Sequence, residues 1–444
     1  MADFRLSFTV NLFIMKPIVF STFLLSMGAT IGVAQSVQKG NVPDSLPQPF
    51  ATKSVSNFSN VIGWKDGEKP QAPEGFVVTK FADGFDNPRW TCITPTGEVL
   101  VAESNTNYNV LKQIGGTIIG AGRSNNLSNS ADRIMILTDA DKDGVAEKRD
   151  TFLTNLNQPF GMLFLDDWFY VANTDAVLRY RYDKATKRTT GKAQKIIDLP
   201  AGNHNQHWSR NIITNEDGSK IYIAVGSASN IAEHGLEEEL LRAAILEINP
   251  DGSGLRTYAS GLRNPVGMDW EPSTNTLWTV VNERDGMGDD LAPDYFTSVK
   301  DGGFYGWPYS YMGKHPDTRV KEQKPELVKS ALEPDLPLIS HTATLGLVFY
   351  TIGHFPKRYH GGAFLAQHGS FNRSELSGYK VLFVPFESGY PSSQPEDFLT
   401  GFVADLSERK VRGRPVGLTL TYDGSLLLTD DTSNTIWHIA YKKK

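Results

Sequence analysis

The sequence is poor in cysteine, since Cys92 is the only one in 444 residues. A single cysteine forms no disulfide within the chain and excludes a C-x-x-C-H haem attachment motif. We therefore expect Cys92 to act as a small apolar side chain. Charged residues are also few, at 21%, and the formal net charge is −6. Without a basic excess, the chain lacks the electrostatic pattern of a nucleic-acid-binding protein.

A long apolar run occurs near the N-terminus, where Lys16 precedes the stretch PIVFSTFLLSMGATIGVA. A cation, an apolar run and small residues around Gly32 to Ala34 are typical of a signal peptide, which we predict over residues 1–34, with Met15 as an alternative start. Ser, Thr and Gly interrupt the run and a polar segment follows it, so no permanent membrane span is expected; an uncleaved anchor is the alternative. The predicted location is periplasmic or secreted.

The composition indicates an all-β chain rather than a helical one. Glycine (40), proline (24) and 11% aromatics accompany many short apolar runs between turn signals. Residues 35–72 are rich in Ser, Asn, Pro and Gln, and we interpret them as an extended arm. A single β-domain is predicted over residues 73–444, and the best candidate for a short helix is Glu237 to Arg242.

A repeated pattern indicates the architecture. Each copy has a loop with Pro, Arg or Asn, a short apolar strand, a turn, and a second strand that ends in small polar residues. Six copies begin at Phe85, Leu156, His204, Leu262, Thr344 and Val411. Their spacing predicts a six-bladed β-propeller of four-stranded antiparallel blades, closed by a last strand at Thr435 to Tyr441; seven blades or a pair of β-sandwiches are the alternatives.

The segment that precedes the first strand in each copy, the slot, is rich in cationic residues. In a propeller this slot lies near the axis, so its residues are expected to converge on one pocket. Guanidinium groups bind carboxylates well, which predicts a ligand with several carboxylates. The alternative is that some arginines bridge neighbouring blades through Asp or Glu. The slot contains Arg89, Arg210, Arg263 with Asn264, Arg412, Arg414 and, just before the fifth copy, His341.

Two histidines occupy the same slot in the third copy, where His204 and His207 precede a strand in GNHNQHWSRN. Imidazole can accept a proton near neutral pH, so these residues are candidates for a catalytic base. Zinc binding by the H-x-x-H spacing is the alternative, but no third ligand lies nearby in the sequence.

Two acidic segments are candidates for calcium binding, because calcium binds flexible sets of carboxylate and carbonyl oxygens. The first could also be a solvated acidic turn; its candidate ligands are Glu283, Arg284, Asp285, Gly286, Asp289 and Asp290. The second has D-x-D-x-D-G spacing, but its flanks are predicted strands, so an ordinary Asp-Gly hairpin turn is favoured over a peripheral site. Its candidate ligands are Asp139, Asp141, Asp143 and Asp150.

Taken together, several motifs resemble those of the soluble quinoprotein sugar dehydrogenases, in particular the L-sorbosone dehydrogenase branch. The resemblance covers about residues 73–442. Its strongest pieces are HWSRN (207–211), GLRNPVGM (261–268), NERDGMGDDLAPDY (282–295), GGFYGWP (302–308), QHGSFNR (367–373) and GRPVGL (413–418).

The resemblance implies pyrroloquinoline quinone (PQQ), which carries three carboxylates, and Ca²⁺. It assigns Ca²⁺ to the segment from Arg284 to Asp290, where it polarises the quinone, while a histidine takes the substrate hydroxyl proton and hydride moves to the quinone. His207 is the first choice for this base and His204 the second, with Arg210 in the same motif. The implied cofactor contacts are Arg263, Asn264, Arg412 and Arg414, with Asn372 or Arg373 near the place of a family lysine that has no clear match.

The predicted function is therefore oxidation of a sugar hydroxyl or hydrated aldehyde, such as sorbosone or an aldose, with electrons passed to an external acceptor. A calcium-dependent lactone hydrolase is an alternative, although lactonases centre on carboxylate and Asn ligands and would not need several axial arginines. A non-catalytic propeller that binds carbohydrate or a polyanion is the second alternative.

Overall fold

In the computed structural model, residues 46–107, 121–124 and 127–442 are described; they belong to one unit, Lys39–Lys444. Nearly all regular structure in these ranges is β-strand, which confirms the all-β prediction. The predicted signal peptide lies outside the described residues. No helix in the described ranges is long and apolar enough to cross a membrane.

Six four-stranded antiparallel sheets carry most of the strands in the described residues. The first contains β3 (Pro88–Ile93), β4 (Val99–Glu103), β5 (Arg133–Thr138) and β6 (Lys148–Leu153). The second contains β7 (Met162–Leu165), β8 (Trp168–Ala172), β9 (Ala176–Asp183) and β10 (Arg188–Asp198). The third contains β11 (Arg210–Thr214), β12 (Ile221–Val225), β13 (Ala244–Ile248) and β14 (Arg256–Ser260).

The other three sheets come from the second half of the chain, and the last of them also takes a strand from the start of the domain. The fourth contains β15 (Pro265–Glu271), β16 (Thr276–Val281), β17 (Tyr295–Ser298) and β20 (Leu336–Pro337). The fifth contains β21 (Thr344–Phe349), β22 (Ala363–Gln367), β23 (Lys380–Val384) and β26 (Glu396–Leu399). The sixth contains β2 (Phe76–Ala82), β31 (Thr435–Tyr441), β30 (Leu426–Asp430) and β29 (Pro415–Leu420).

Smaller elements connect these sheets. The short strands are β1 (Asn60–Val61), β18 (Ser310–Tyr311), β19 (His315–Pro316), β24 (Phe386–Glu387), β25 (Tyr390–Pro391), β27 (Val403–Asp405) and β28 (Lys410–Val411). The helix α1 spans Pro325–Ser330, and 3₁₀ turns span Ala121–Arg123, Leu236–Glu239 and Lys357–Tyr359. The helix predicted at 237–242 is thus a 3₁₀ turn, while α1, which begins with a proline in its first turn, was not predicted.

The second strands of the sheets are deeply buried. Every residue of β4, β12, β22 and β30 is buried, whereas most of the outer strand β10 is exposed. A strand covered on both faces is expected to be an almost continuous apolar run, and this is why these strands were recognisable in the sequence.

Hydrophobic clusters join each sheet to the next. One cluster packs β4 and β5 against β8, and similar clusters follow between the second and third, third and fourth, fourth and fifth, and fifth and sixth sheets. A further cluster joins Val99 and Val101 of the first sheet to Leu427 and Ile436 of the sixth. Burial of apolar surface between neighbouring sheets is therefore the main stabilising contribution to the domain.

The sixth sheet joins the two ends of the domain. Strand β2 pairs antiparallel with β31, so that Phe76 lies opposite Tyr441. The last predicted strand, at 435–441, is confirmed, and the structure pairs it with a strand from the N-terminal end of the domain.

The part of the predicted arm that is described, residues 46–72, runs over the domain and is held at several points. Strand β1 pairs parallel with β28. Trp64 packs edge-on against Phe402 and Trp437, and its Nε1–H donates to the Asp430 carboxylate at 2.9 Å. These contacts fix the arm beside the loops described next.

Candidate active site

A cavity with a volume of about 910 Å³ lies among the described residues. Its walls come mainly from the segments that precede the first strand, or follow the second strand, of several sheets. Loop 201–208 precedes β11, Arg263 and Asn264 precede β15, and residues 282–285 follow β16. The fold therefore gathers segments that are distant in the sequence.

Eight of the residues predicted for the site line this cavity. They are His204, His207, Arg263, Asn264, Glu283, Asp285, His341 and Asn372. The sequence thus identified a group of residues that the structure brings together, although the group differs in composition from the one expected.

His207 is held by one ring nitrogen. Its Nδ1 lies 2.9 Å from the Ser227 carbonyl oxygen, which assigns the Nδ1 proton to that bond and leaves the Nε2 lone pair available. Burial and the charge of Arg263 lower the pKa of His207 to about 3, against a smaller opposing effect of the Ser227 carbonyl. The imidazole is therefore neutral at physiological pH, with Nε2 unprotonated.

His204 lies at the same cavity in a different setting. Its ring stacks on that of His234, with centroids 3.7 Å apart and planes 16° apart. His234 also lines the cavity, and nothing in the sequence pattern singled it out. The ring of His207 is thus held by a hydrogen bond, whereas that of His204 is held by stacking.

Arg263 is the one arginine among the described residues that line the cavity. It is 3% exposed. Its guanidinium donates to the Asn230 side-chain oxygen at 2.9 Å and to the Glu283 carbonyl oxygen at 2.7 Å. Further bonds go to the Asn230 and Asn282 carbonyl oxygens, which leave few of its five N–H groups for a ligand. Arg263 is thus a rigid positive charge at the cavity wall.

Acceptor oxygens without donors lie beside this charge. Asn264 Oδ1 and Glu283 Oε1 are buried and have no hydrogen-bond partner within the described chain. Asp285, whose side chain is 33% exposed, lies 3.4 Å from His341 Nδ1 and accepts a close hydrogen bond from Asn372. Buried acceptors without donors are uncommon and indicate a cation or another missing partner.

The charges in this group affect one another. Burial alone would raise the pKa of Asp285, but the hydrogen bond with His341 and the charge of Arg263 outweigh it, so the pKa is lowered. Burial lowers the pKa of His341, but Asp285 outweighs it and the net shift is upward. Asp285 is therefore an anion facing the cavity.

Asp294 also lines the cavity, although it was not predicted as a site residue. It accepts the backbone N–H groups of Glu283 at 2.9 Å and Ala343 at 2.8 Å. Burial raises its pKa to about 6, partly offset by the Glu283 N–H. The residue lies within the motif NERDGMGDDLAPDY, so position in that motif was the signal that could have found it.

Four of the five arginines predicted to converge on the cavity are not among its lining residues. Arg89 forms a close ion pair with Asp431, and Arg412 pairs with Glu68 at 3.0 Å. Each of these cations is thus neutralised by a carboxylate from a distant part of the chain, as in the bridging alternative. Pairing removes most of the cost of bringing like charges together.

The other two arginines hold loops in place. Arg210 is fully buried and donates to the His207 carbonyl oxygen at 2.6 Å, so it positions the histidine segment and does not contact the cavity. Arg414 donates to the carbonyl oxygens of His368 and Gly369 at 3.0 and 2.9 Å.

The predicted metal segment is only partly at the cavity. Glu283 and Asp285 line it, but the side chain of the buried Arg284 donates to Glu283 and Asp317 instead. Asp290 pairs with Arg373 at 2.8 Å. Gly286, Asp289, Asp290 and Arg373 do not line the cavity, because this loop turns outward to contact residues 52–54 and 373–374.

The second acidic segment forms a compact group with a changed membership. Ligand atoms of Asp139, Asp141, Asp143 and Glu147 lie within 4.8 Å of one another. Asp150 is not part of the group, since it lies in strand β6 and pairs with Arg188. Glu147, at the ninth position of the loop, therefore takes the place expected for Asp150 at the twelfth. Asp150 is carried away from the loop because strand β6 begins at Lys148.

Comparisons with known proteins agree with these observations. The sequence model of the glucose/sorbosone dehydrogenase family matches residues 169–381. An uncharacterized protein of Borreliella burgdorferi is 31% identical over 305 residues, which cover 66% of this chain and 78% of that protein.

The chain belongs to the glucose/sorbosone dehydrogenase family.

Other proteins similar to this chain carry names that state their activities. A pyrroloquinoline quinone-dependent pyranose dehydrogenase of Coprinopsis cinerea is 25% identical over 60% of this chain and 43% of its own length. The holo PQQ domain of the Coprinopsis cinerea pyranose dehydrogenase has a TM-score of 0.68 at 19% identity, covering 86% of this chain and all of that domain. The calcium structure of a Trichoderma reesei family AA12 enzyme has a TM-score of 0.68 at 18% identity, covering 88% of this chain and 99% of that one. These structures share the fold.

Proposed function

We propose that this protein is a PQQ- and Ca²⁺-dependent dehydrogenase that oxidises a sugar hydroxyl or hydrated aldehyde, such as an aldose or sorbosone. The observation that carries the proposal is the cavity itself, where a neutral His207 lies close to the fixed charge of Arg263 and to acceptor oxygens without donors. Family membership supports the same reaction class.

The donor and acceptor groups fit both parts of such a cofactor. Arg263 supplies a positive charge suited to a carboxylate. Asn264 Oδ1, Glu283 Oε1 and the Asp285 carboxylate are oxygens of the kind that calcium binds. When bound, the quinone would supply the hydride acceptor and Ca²⁺ the Lewis acid.

The chain's own residues would then bind the substrate and move its proton. His207 Nε2 accepts the proton from the substrate hydroxyl, while the Ser227 carbonyl keeps Nδ1 protonated and the ring in place. Arg210 keeps the backbone of the histidine in position through its bond to the His207 carbonyl oxygen. Asn and Asp side chains around the cavity are suited to binding the other hydroxyl groups.

Three further features belong to the proposal. The six sheets are the blades of a closed propeller, which is supported by the hydrophobic clusters between successive sheets and between the sixth and the first. Electrons pass from the cofactor to an external acceptor. The protein acts in the periplasm or outside the cell, as the signal-peptide pattern of residues 1–34 indicates.

A calcium-dependent lactone hydrolase remains a second candidate, and one observation favours it. The described lining holds a single arginine but the carboxylates of Asp175, Glu283, Asp285 and Asp294, and several asparagines. A lining with one arginine and four carboxylates matches the carboxylate and Asn ligands expected around the calcium of a lactonase.

Reconstitution tests these possibilities together. Purified protein is titrated with PQQ and Ca²⁺, and dye reduction is measured with a panel of aldoses and aldehydes; hydrolysis of sugar lactones is measured in parallel. Cofactor binding at micromolar concentration with dye reduction is expected. Absence of cofactor binding would overturn the proposal, and calcium-dependent lactone hydrolysis without dye reduction would favour the second candidate. Neither activity, with sugar binding retained, would indicate a binding protein.

Variants then test the base. His207→Ala is expected to lower dye reduction at least about 100-fold, because a general base contributes about 10²- to 10⁴-fold. His204→Ala should have a smaller effect. His354→Ala, which changes an exposed histidine outside the cavity, is the matched control. Full activity of His207→Ala would remove His207 from the mechanism and leave the cofactor assignment intact.

A further inference from the structure

Besides the buried Trp208, two phenylalanines line the cavity. Phe58 comes from the N-terminal arm and Phe371 from the segment after β22. Their rings stack with centroids 5.6 Å apart and planes 5° apart, and Phe371 is 40% exposed. Phe371 therefore has apolar surface that a ligand in the cavity can cover.

The arm holds Phe58 firmly at this place. The backbone N–H of Asn57 donates to the Phe371 carbonyl oxygen at 2.6 Å, and the Asn57 side chain donates to the Ser374 carbonyl oxygen at 2.9 Å. On the other side, the buried Ser59 hydroxyl contacts that of Ser124 at 2.9 Å. Phe58 is thus fixed on both sides in the sequence, so its ring position is built into the fold.

The chemistry of the lining matches a sugar ring. A pyranose has a rim of hydroxyl groups and two faces with exposed C–H groups. The negative face of an aromatic ring attracts such C–H groups, and burying them adds apolar stabilisation. The asparagines and aspartates of the cavity are suited to the hydroxyl rim, whereas the two rings are suited to a face.

We propose that Phe58 and Phe371 form an aromatic platform on which the pyranose ring of the substrate packs, so that the N-terminal arm contributes a substrate subsite. This inference rests on the proposed function, because it assigns the substrate class of the same cavity. The arm precedes residues 169–381, which the family's sequence model matches. Phe58 therefore lies outside the matched region, whereas Phe371 lies within it.

The test compares a pyranose with an aldehyde too small to span the platform. KM and kcat are measured for D-glucose, D-xylose and glycolaldehyde with reconstituted wild type, Phe58→Ala and Phe58→Tyr. Phe58→Ala is expected to raise KM for the pyranoses about 3- to 10-fold, the range of one aromatic stack, and to leave glycolaldehyde unchanged. Phe58→Tyr keeps the ring and should behave like wild type.

Two controls keep the outcome clear. Phe50→Ala removes an exposed aromatic of the same arm that does not line the cavity, and it should change nothing. If Phe58→Ala fails to fold, Phe58→Leu keeps the apolar volume but not the flat ring, and the same rise in KM is expected. Equal changes for pyranoses and glycolaldehyde, or none, would overturn the platform.

Sugar binding without cofactor separates this inference from the proposed function. Calorimetric titration of the cofactor-free protein with D-glucose and D-xylose should give weaker binding to Phe58→Ala than to wild type. If reconstitution yields no dehydrogenase activity but this difference is found, the platform stands and the dehydrogenase proposal falls. If neither sugar binds to wild type and no turnover of pyranoses is measured, the platform is overturned.

Discussion

Gly226 is the position at which one added methyl group would disturb the candidate site most directly. A Cβ there would lie 2.3 Å from Asn264 Oδ1 and 2.5 Å from His207 Cβ. Non-bonded carbon atoms prefer about 3.5 to 4.0 Å, so both side chains would have to move by roughly 1 Å. Overpacking of this kind costs about 1–3 kcal/mol of stability. A shift of about 1 Å in catalytic groups can cost about 100-fold in rate.

Gly226→Ala is therefore expected to lower PQQ-dependent dye reduction about 100-fold, while thermal unfolding shifts by only a few degrees. Gly353→Ala is the matched control, because its added Cβ would meet only His360 Cε1 at 3.7 Å, an ordinary contact. The control should keep both activity and stability. A folded Gly226→Ala variant with full activity would refute the argument that the positions of His207 and Asn264 matter for the reaction.

Three further predictions concern stability, pH and calcium. Trp64→Ala should destabilise the domain by about 2 kcal/mol, roughly half the cost for a fully buried tryptophan, and lower the temperature of thermal unfolding; an unchanged value would mean that the arm adds no stability. Burial raises the pKa of Asp269 to about 6, so the folded state keeps a proton that the unfolded chain loses near pH 4, and stability should fall as pH rises through this window. The unfolding temperature of wild type, relative to that of Asp269→Asn, should therefore fall between about pH 4 and pH 6. A constant difference would contradict the raised pKa of Asp269. If the acidic loop binds calcium, Asp143→Asn should remove one binding event from a calcium titration, whereas an identical titration curve would mean that the loop is only a turn.

The strands could be predicted because their signal is local. Buried second strands such as β12 and β30 are apolar runs between turn residues, and the last strand was found with its bounds at 435–441. Helix α1 is only one turn and a half long, and it carries too short a pattern to be recognised.

Site membership was predicted best where several site residues share one motif. Arg263 with Asn264, and Glu283 with Asp285, were found together because each pair lies in a single loop. The ion pair of Arg89 could not be predicted in this way, since its partner Asp431 is 342 residues away in the sequence. Equivalent slots in a repeat indicate where a backbone lies, but the partner of a long charged side chain depends on contacts that only the folded chain defines.

The contact between Phe58 and Phe371 could not be predicted from the sequence either. It belongs to a polar segment without periodicity, and its partner Phe371 is more than three hundred residues away. No repeat or motif connects the two rings. The tertiary path of the arm brings them together.

The pairing of β2 with β31 also determines when the molecule can finish folding. Strand β2 is made early, at Phe76–Ala82, but its partner ends at Tyr441. Until β31 has been made, β2 presents an unpaired edge that can pair with other chains. Closing a contact over so many residues is slow, because the entropy of a long loop must be overcome first. The other five sheets need no residue beyond β26, so they can form first, and the sixth sheet is the last to be completed.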